Sequence, residues 1–119
     1  MNKEIKEKWV AALRSGKYKQ GYNRLKNIIL VAERKDVVTH CCLGVLCELA
    51  VEENICYEND RYFGSKEHAL NWDALPKVVF VWAELDDSDP MVEDHHLSIW
   101  NDRYQKSFNE IADLIDKNL

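Results

Sequence analysis

The sequence predicts a compact, single-domain α+β fold that is mainly helical and carries a small antiparallel sheet. Three observations lead there. Apolar residues recur with a 3.6-residue period near the start, in the middle and at the end of the chain. Between these stretches, short β-prone segments flank turn-forming residues. The 119 residues, 46% of them hydrophobic with four glycines and two prolines, suit one core spanning 1–119 with no internal linker.

Residues 3–15 read as an amphipathic helix, with Ile5, Trp9, Ala12 and Leu13 on one face and Lys and Glu on the other. Gly16 is its natural C-terminal stop. From Tyr18 to Arg24, aromatic and polar residues alternate around Gly21. The run Ile28 to Val31, a charged turn at Glu33–Asp36 and then Val37–Thr39 favour two strands joined by that turn. A helix from Asn23 to Glu33 also fits this stretch.

Residues 41–53 return to helical periodicity, with Leu43, Leu46, Cys47 and Ala50 on a stripe that Cys42, Val45 and Leu49 widen. Such a helix is expected to be central. Gly44 within it lowers helix propensity and implies close approach of another backbone. Asn54 suits a left-handed terminator. Ile55–Glu58 and Arg61–Phe63 flank Asn59-Asp60, a two-residue hairpin signal. Pro76 suits the first turn of a third helix running to about Glu84, with Val79 and Trp82 facing inward. In the last helix Ser107 and Glu110 form a capping box, and Phe108, Ile111, Leu114, Ile115 and Leu119 form the buried stripe.

Sixteen Lys+Arg against twenty-one Asp+Glu give a formal charge of -5. That argues against direct nucleic-acid binding, which needs a basic surface. No leader and no apolar run near the ~20 residues of a membrane helix are seen, so a cytoplasmic protein is expected. In a reducing compartment Cys41, Cys42, Cys47 and Cys56 are expected as free, buried thiols. A zinc site from His40, Cys41, Cys42 and Cys47 would match neither paired knuckles nor a Cys/His finger, so no metal is expected.

Few motifs carry chemistry. Glu84, Asp86, Asp87, Asp89, Glu93 and Asp94 fall in a stretch without Lys or Arg, but it lacks the ligand ladder and glycine of a calcium loop, so a solvated acidic loop is expected. Adjacent His95 and His96 point different ways, and neither they nor His40 and His68 mark a catalytic base. There is no nucleophile elbow, dinucleotide turn or P-loop. Cys41 or Cys42 at a helix start, beside His40, has the elements of an activated thiol but no third orienting group. No catalytic residue and no cofactor are therefore expected. Leu97 to Ile115 looks like the first part of a helix-turn-helix, yet a recognition helix has no room to follow and the last helix is acidic. Action through DNA, or a DNA-bound partner, is the alternative function.

The remaining signal is a set of aromatic and hydrogen-bonding residues. Arg14, Tyr18, Gln20 and Tyr22 are assigned to the loop after the first helix, and Trp100, Asn101, Asp102, Arg103 and Tyr104 precede the last. Of these, Arg14, Tyr18, Gln20, Trp100, Asn101 and Asp102 are the expected ligand set. In a ligand site Arg14 would pair with an anionic group, Tyr18 or Trp100 would stack, and Gln20, Asn101 and Asp102 would read polar edges. Taken singly, Trp9, Trp82 and Trp100 read as core residues.

The segments Lys8-Trp9-Val10-Ala11-Ala12-Leu13-Arg14-Ser15-Gly16, Cys41-Cys42-Leu43-Gly44-Val45-Leu46-Cys47-Glu48-Leu49-Ala50, Leu75-Pro76 and Asn101-Asp102 leading to Ser107-Phe108-Asn109-Glu110-Ile111-Ala112-Asp113-Leu114-Ile115 are distinctive together. On these the chain resembles a family of small uncharacterised proteins encoded by phages, prophages and bacteria. It departs from the family's usual pattern at Trp82-Ala83-Glu84-Leu85, at Asp89-Pro90 and at Arg103-Tyr104-Gln105-Lys106. The resemblance implies a phage-related origin and a bacterial host cytoplasm, but no activity. The expected function is non-enzymatic: capture of a nucleotide-like small molecule or a host protein, as counter-defence or host takeover, with homo-oligomerisation left open.

Overall fold

A computed structural model describes residues 1–31, 37–67 and 70–119. Its elements run α1 (Lys3–Arg14), β1 (Lys26–Ile29), β2 (Val37–His40), α2 (Cys42–Glu52), β3 (Tyr57–Asn59) and β4 (Tyr62–Gly64). Then come α3 (Lys77–Trp82), β5 (Met91–Val92), β6 (His95–His96), α4 (Leu97–Asp102) and α5 (Phe108–Asn118). The α+β class expected from periodicity is the one found, and no helix among the described residues is long and apolar enough to cross a membrane.

Helix α2 is the core. Cys42 through Cys47 and Ala50 are all buried, as expected of a helix with a wide apolar stripe. Gly44 permits this packing: a Cβ placed there would lie 1.7 Å from the Leu25 carbonyl oxygen, so only glycine lets the chain ahead of β1 cross the helix. Helix α1 presents Ile5, Trp9, Val10 and Leu13 to the core, packing against α2 and α5. The Trp9 indole N–H donates to the Cys42 carbonyl at 2.9 Å and so fixes α1 to the start of α2. Asn2 caps α1 by accepting the Ile5 N–H at 3.0 Å, and Gly16 ends its exit at φ 76°.

Residues 26–29 are strand rather than part of a helix: β1 pairs antiparallel with β2, Lys26 opposite His40 and Ile29 opposite Val37. The strands begin and end slightly off the expected bounds, and the turn at Glu33–Asp36 lies outside the described residues, as does His68. The second hairpin is displaced by one residue. Asn59 pairs with Tyr62, so the turn sits on Asp60-Arg61 rather than Asn59-Asp60, with Asp60 taking the left-handed conformation at φ 59°.

A third hairpin, β5–β6, pairs Met91 with His96 and Val92 with His95 around Glu93 at φ 54°. It lies where an acidic loop was expected. Among the described residues the strands therefore form three two-stranded sheets instead of one. The reason is topological: each strand pairs with its neighbour in the sequence, and α2 and α3 separate the hairpins.

Pro76 is the N-cap of α3 rather than a first-turn residue, and the helix stops at Trp82, short of Glu84, whose φ of 56° turns the chain out. Val79 is buried there and Trp82 is half-buried. Helix α5 starts with the expected capping box of Ser107 and Glu110. It buries Phe108, Ile111, Ala112 and Ile115, while Leu114 and Leu119 sit at the edge of the stripe.

Candidate functional site

Of the residues expected to bind a ligand, Gln20, Asn101 and Asp102 converge. Asn101 is fully buried. Its Oδ1 accepts from Gln20 Nε2 at 3.0 Å and from the Cys42 N–H at 3.2 Å. Its Nδ2 donates to the Gly21 carbonyl at 2.9 Å and to Asp102 Oδ1 at 2.7 Å. Those four bonds match the two donors and two acceptor lone pairs of an amide. Gln20 Nε2 donates onward to the Lys106 carbonyl at 2.7 Å. The hydrogen-bonding capacity of Asn101 is thus used inside the fold, tying α4, the start of α2 and the 18–24 segment together.

Arg14 and Tyr18 lie elsewhere on this side of the molecule, with Gln20 between. Together with Ser107, Phe108 and Asn109 they border a cavity of about 220 Å³. Arg14 Nη2 is bonded to Asp113 Oδ1 at 2.5 Å, an exposed pair. The Tyr18 ring meets His40 edge-on at 5.2 Å between centroids and 82° between planes, and Lys17 Nζ lies 5.3 Å from its centre.

Trp100 does not border that cavity. It forms an aromatic ledge with two residues outside the expected set, His95 and Tyr104. The Trp100 and Tyr104 centroids are 5.3 Å apart at 42°, and His95 lies 5.0 Å from both rings. Trp100 Nε1 donates to the Val92 carbonyl at 2.9 Å, which locks its ring against β5, while Tyr104 remains 50% exposed. A groove of about 400 Å³ runs from Trp100 along α5, bordered by Glu93, Lys106, Glu110, Leu114 and Lys117.

Asp89 sets the pose of this corner. Its Oδ1 accepts the Ser98 N–H at 3.1 Å, its Oδ2 accepts the Ser98 hydroxyl, and its carbonyl lies 2.5 Å from His96 Nδ1. No carboxylate of the 84–94 segment pairs with a lysine or arginine among the described residues.

The four cysteines are free and buried, as expected. Cys41 does stand at the start of α2, but the helix does not activate it. Burial pushes its thiol up to about 12, overcoming the lowering effect of the Gly44 and Leu43 N–H groups. Burial likewise drives Cys42 and Cys47 well above the ordinary thiol range, and Cys56 to about 11. His40 addresses a carboxylate instead of a thiol: its Nε2 is 2.9 Å from Glu48 Oε2. Lys26 Nζ lies 3.5 Å from the same oxygen and also meets Glu58, so one half-buried network joins β1, β2, α2 and β3. Burial favours the neutral form of Glu48, but the His40 hydrogen bond and the Lys26 charge outweigh it and hold the carboxyl below its usual value. Among the described residues, no three His, Cys, Asp or Glu side chains are grouped to hold a metal ion.

A family model described as a domain of unknown function (DUF8296) matches residues 1–119. No curated protein and no solved structure gives a significant match.

Proposed function

Since this chain belongs to the DUF8296 family over residues 1–119, we propose that it is a non-enzymatic binding domain that captures a protein partner stoichiometrically on the ledge of His95, Trp100 and Tyr104. The observation that carries this reading is the contrast between two groups of side chains. The thiols that would do chemistry are buried in protonated form, while three mutually packed rings form a ledge of which Trp100 borders an open groove. Packed aromatic side chains next to a groove lose little entropy on docking and bury much area, the usual character of an interface anchor. The proposed setting is the cytoplasm of a bacterial host, with a phage-related origin and a role in counter-defence or host takeover.

A second reading, capture of a nucleotide-like small molecule, draws on the cavity that Arg14, Tyr18 and Gln20 border. Action through DNA fits less well, because Glu93 borders the groove beside the ledge and Asp94 directly precedes His95, which would repel phosphates. The test compares proteins retained from bacterial lysate by the tagged chain, by Tyr104→Ala and by Tyr18→Ala. The proposal expects one protein held at fixed stoichiometry by the unaltered chain and by Tyr18→Ala, and lost with Tyr104→Ala. Retention that Tyr104→Ala leaves intact and Tyr18→Ala abolishes would shift the site to the smaller cavity. Thermal stabilisation by a nucleotide, without any retained protein, would favour the second reading.

A further inference from the structure

A separate cavity of about 420 Å³ lies between β4, the segment Asn71–Pro76 and the first turn of α3. Backbone bonds hold its walls: Phe63 and Asn71 exchange N–H···O=C bonds of 2.9 and 2.7 Å, and the Leu75 N–H donates to the Ser88 carbonyl at 2.9 Å. Its size falls within the range of small-molecule sites. Like the cavity that Arg14 borders, it has a cationic residue and no carboxylate in its lining, but Arg14 is already paired with Asp113. Lys77 is the charged residue bordering it, no carboxylate does so among the described residues, and Lys77 makes no ion pair among them.

A second observation is independent of charge. Ser65 borders the cavity, and its Oγ is screened from solvent yet has no hydrogen-bond partner among the described residues. An orphaned buried hydroxyl is unfavourable, and rotation about the Ser65 Cα–Cβ bond is what would bring it to a partner in the cavity. Asn71 Nδ2 is held only by long contacts, 3.4 and 3.5 Å, to the Ala74 and Leu75 carbonyls, so it can turn to a ligand at small cost. Phe80 supplies an apolar wall. The Ser88 hydroxyl is already given to Asp87 at 3.3 Å and plays no part.

We propose that this cavity binds a phosphate-bearing small molecule, with Lys77 pairing with the phosphate and Ser65 Oγ and Asn71 Nδ2 donating to its oxygens. A cation with two neutral donors and no competing carboxylate is the chemistry an oxyanion requires, and a tetrahedral phosphate uses several donors at once. The neighbouring cavity that Ser65 also borders carries Glu67 and lacks that character. The site shares no residue with the aromatic ledge, so it stands or falls separately from the partner-capture reading.

The experiment titrates the ¹⁵N-labelled chain with inorganic phosphate, with AMP and with adenosine at constant ionic strength. Expected are shifts of the Gly64, Ser65 and Lys77 amides with phosphate and with AMP, and none with adenosine. A tighter constant for AMP than for phosphate identifies a nucleotide or similar monoester; equal constants identify free phosphate. Lys77→Gln, a surface change that keeps the fold, is expected to weaken binding about tenfold, and Ser65→Ala to weaken it by a smaller factor. Absence of shifts with both phosphate and AMP at millimolar concentration, adenosine binding as well as AMP, or unchanged affinity in Lys77→Gln would overturn the proposal.

Discussion

Asn101 Oδ1 lies 3.0 Å from Gln20 Nε2, joining residues 81 apart in the sequence. The same oxygen accepts the Cys42 N–H, so one amide caps the start of the central helix and holds the chain that crosses it. Replacing Asn101 with alanine strands the Cys42 N–H and the Gly21 carbonyl in a dry interior. We expect a loss of about 3 kcal/mol in a urea melt, against about 1 kcal/mol for Gln20→Ala, which leaves Asn101 Oδ1 its bond from the Cys42 N–H. A stability change below about 0.5 kcal/mol for Asn101→Ala would mean the amide is free for a ligand after all.

Gly44→Ala reverses the ordinary rule. Alanine inside a helix normally stabilises by about 0.5–1 kcal/mol relative to glycine. Here the added methyl would meet the Leu25 carbonyl at 1.7 Å, so the variant should lose at least about 3 kcal/mol or fail to fold, read by circular dichroism and thermal melting.

The thiols set an alkaline limit. A group whose pKa is raised in the folded state contributes stability that is complete below its unfolded pKa and lost as pH rises. For Cys41 that window opens near 9.0 and extends to about 12, and Cys42 and Cys47 act in the same direction. The slope is about 1.4 kcal/mol per pH unit for each thiol. Unfolding midpoints in urea should therefore fall steadily above pH 9. At pH 8 a thiol reagent should label the native chain only as fast as it opens, and all four cysteines rapidly once denatured.

Glu48 sets the acidic limit. Its carboxyl is held below 4.5, so the stability it contributes is present above that value and is lost as pH falls through the folded pKa. Glu48→Gln takes the carboxylate from His40 and leaves Lys26 with Glu58, which should cost about 1–2 kcal/mol near neutrality. The variant should also show a shallower loss of stability between pH 5 and 3 than the unaltered chain, measured by denaturant midpoints.

Helices and their ends were legible because local patterns specify them: the 3.6-residue stripe of α2, the capping box at Ser107 and Glu110, and Gly16 and Asn54 in left-handed conformations. Close approach at Gly44 was legible for the same reason, since a glycine within an apolar helix has few other causes. The β5–β6 hairpin was not, because its strands are two residues each and its turn residues are charged, which composition reads as loop. Nor was the role of Asn101 visible: an amide that binds a ligand and one that cross-links the backbone are the same residue type, and only long-range packing separates them. The ledge was half legible. Trp100 and Tyr104 were grouped from the sequence, but His95 became their neighbour only through the β6–α4 corner that Asp89 fastens.

Mapping the contact face by NMR tests the central claim most directly. The ¹⁵N-labelled chain would be titrated with the protein it retains from lysate, following backbone amides and the four indole N–H signals. Partner capture on the aromatic corner predicts that the largest changes fall at Glu93–Tyr104 and along α5 to Lys117, with the Trp100 indole among them. Changes centred on Arg14–Gln20, with the Trp100 indole unmoved, would contradict it.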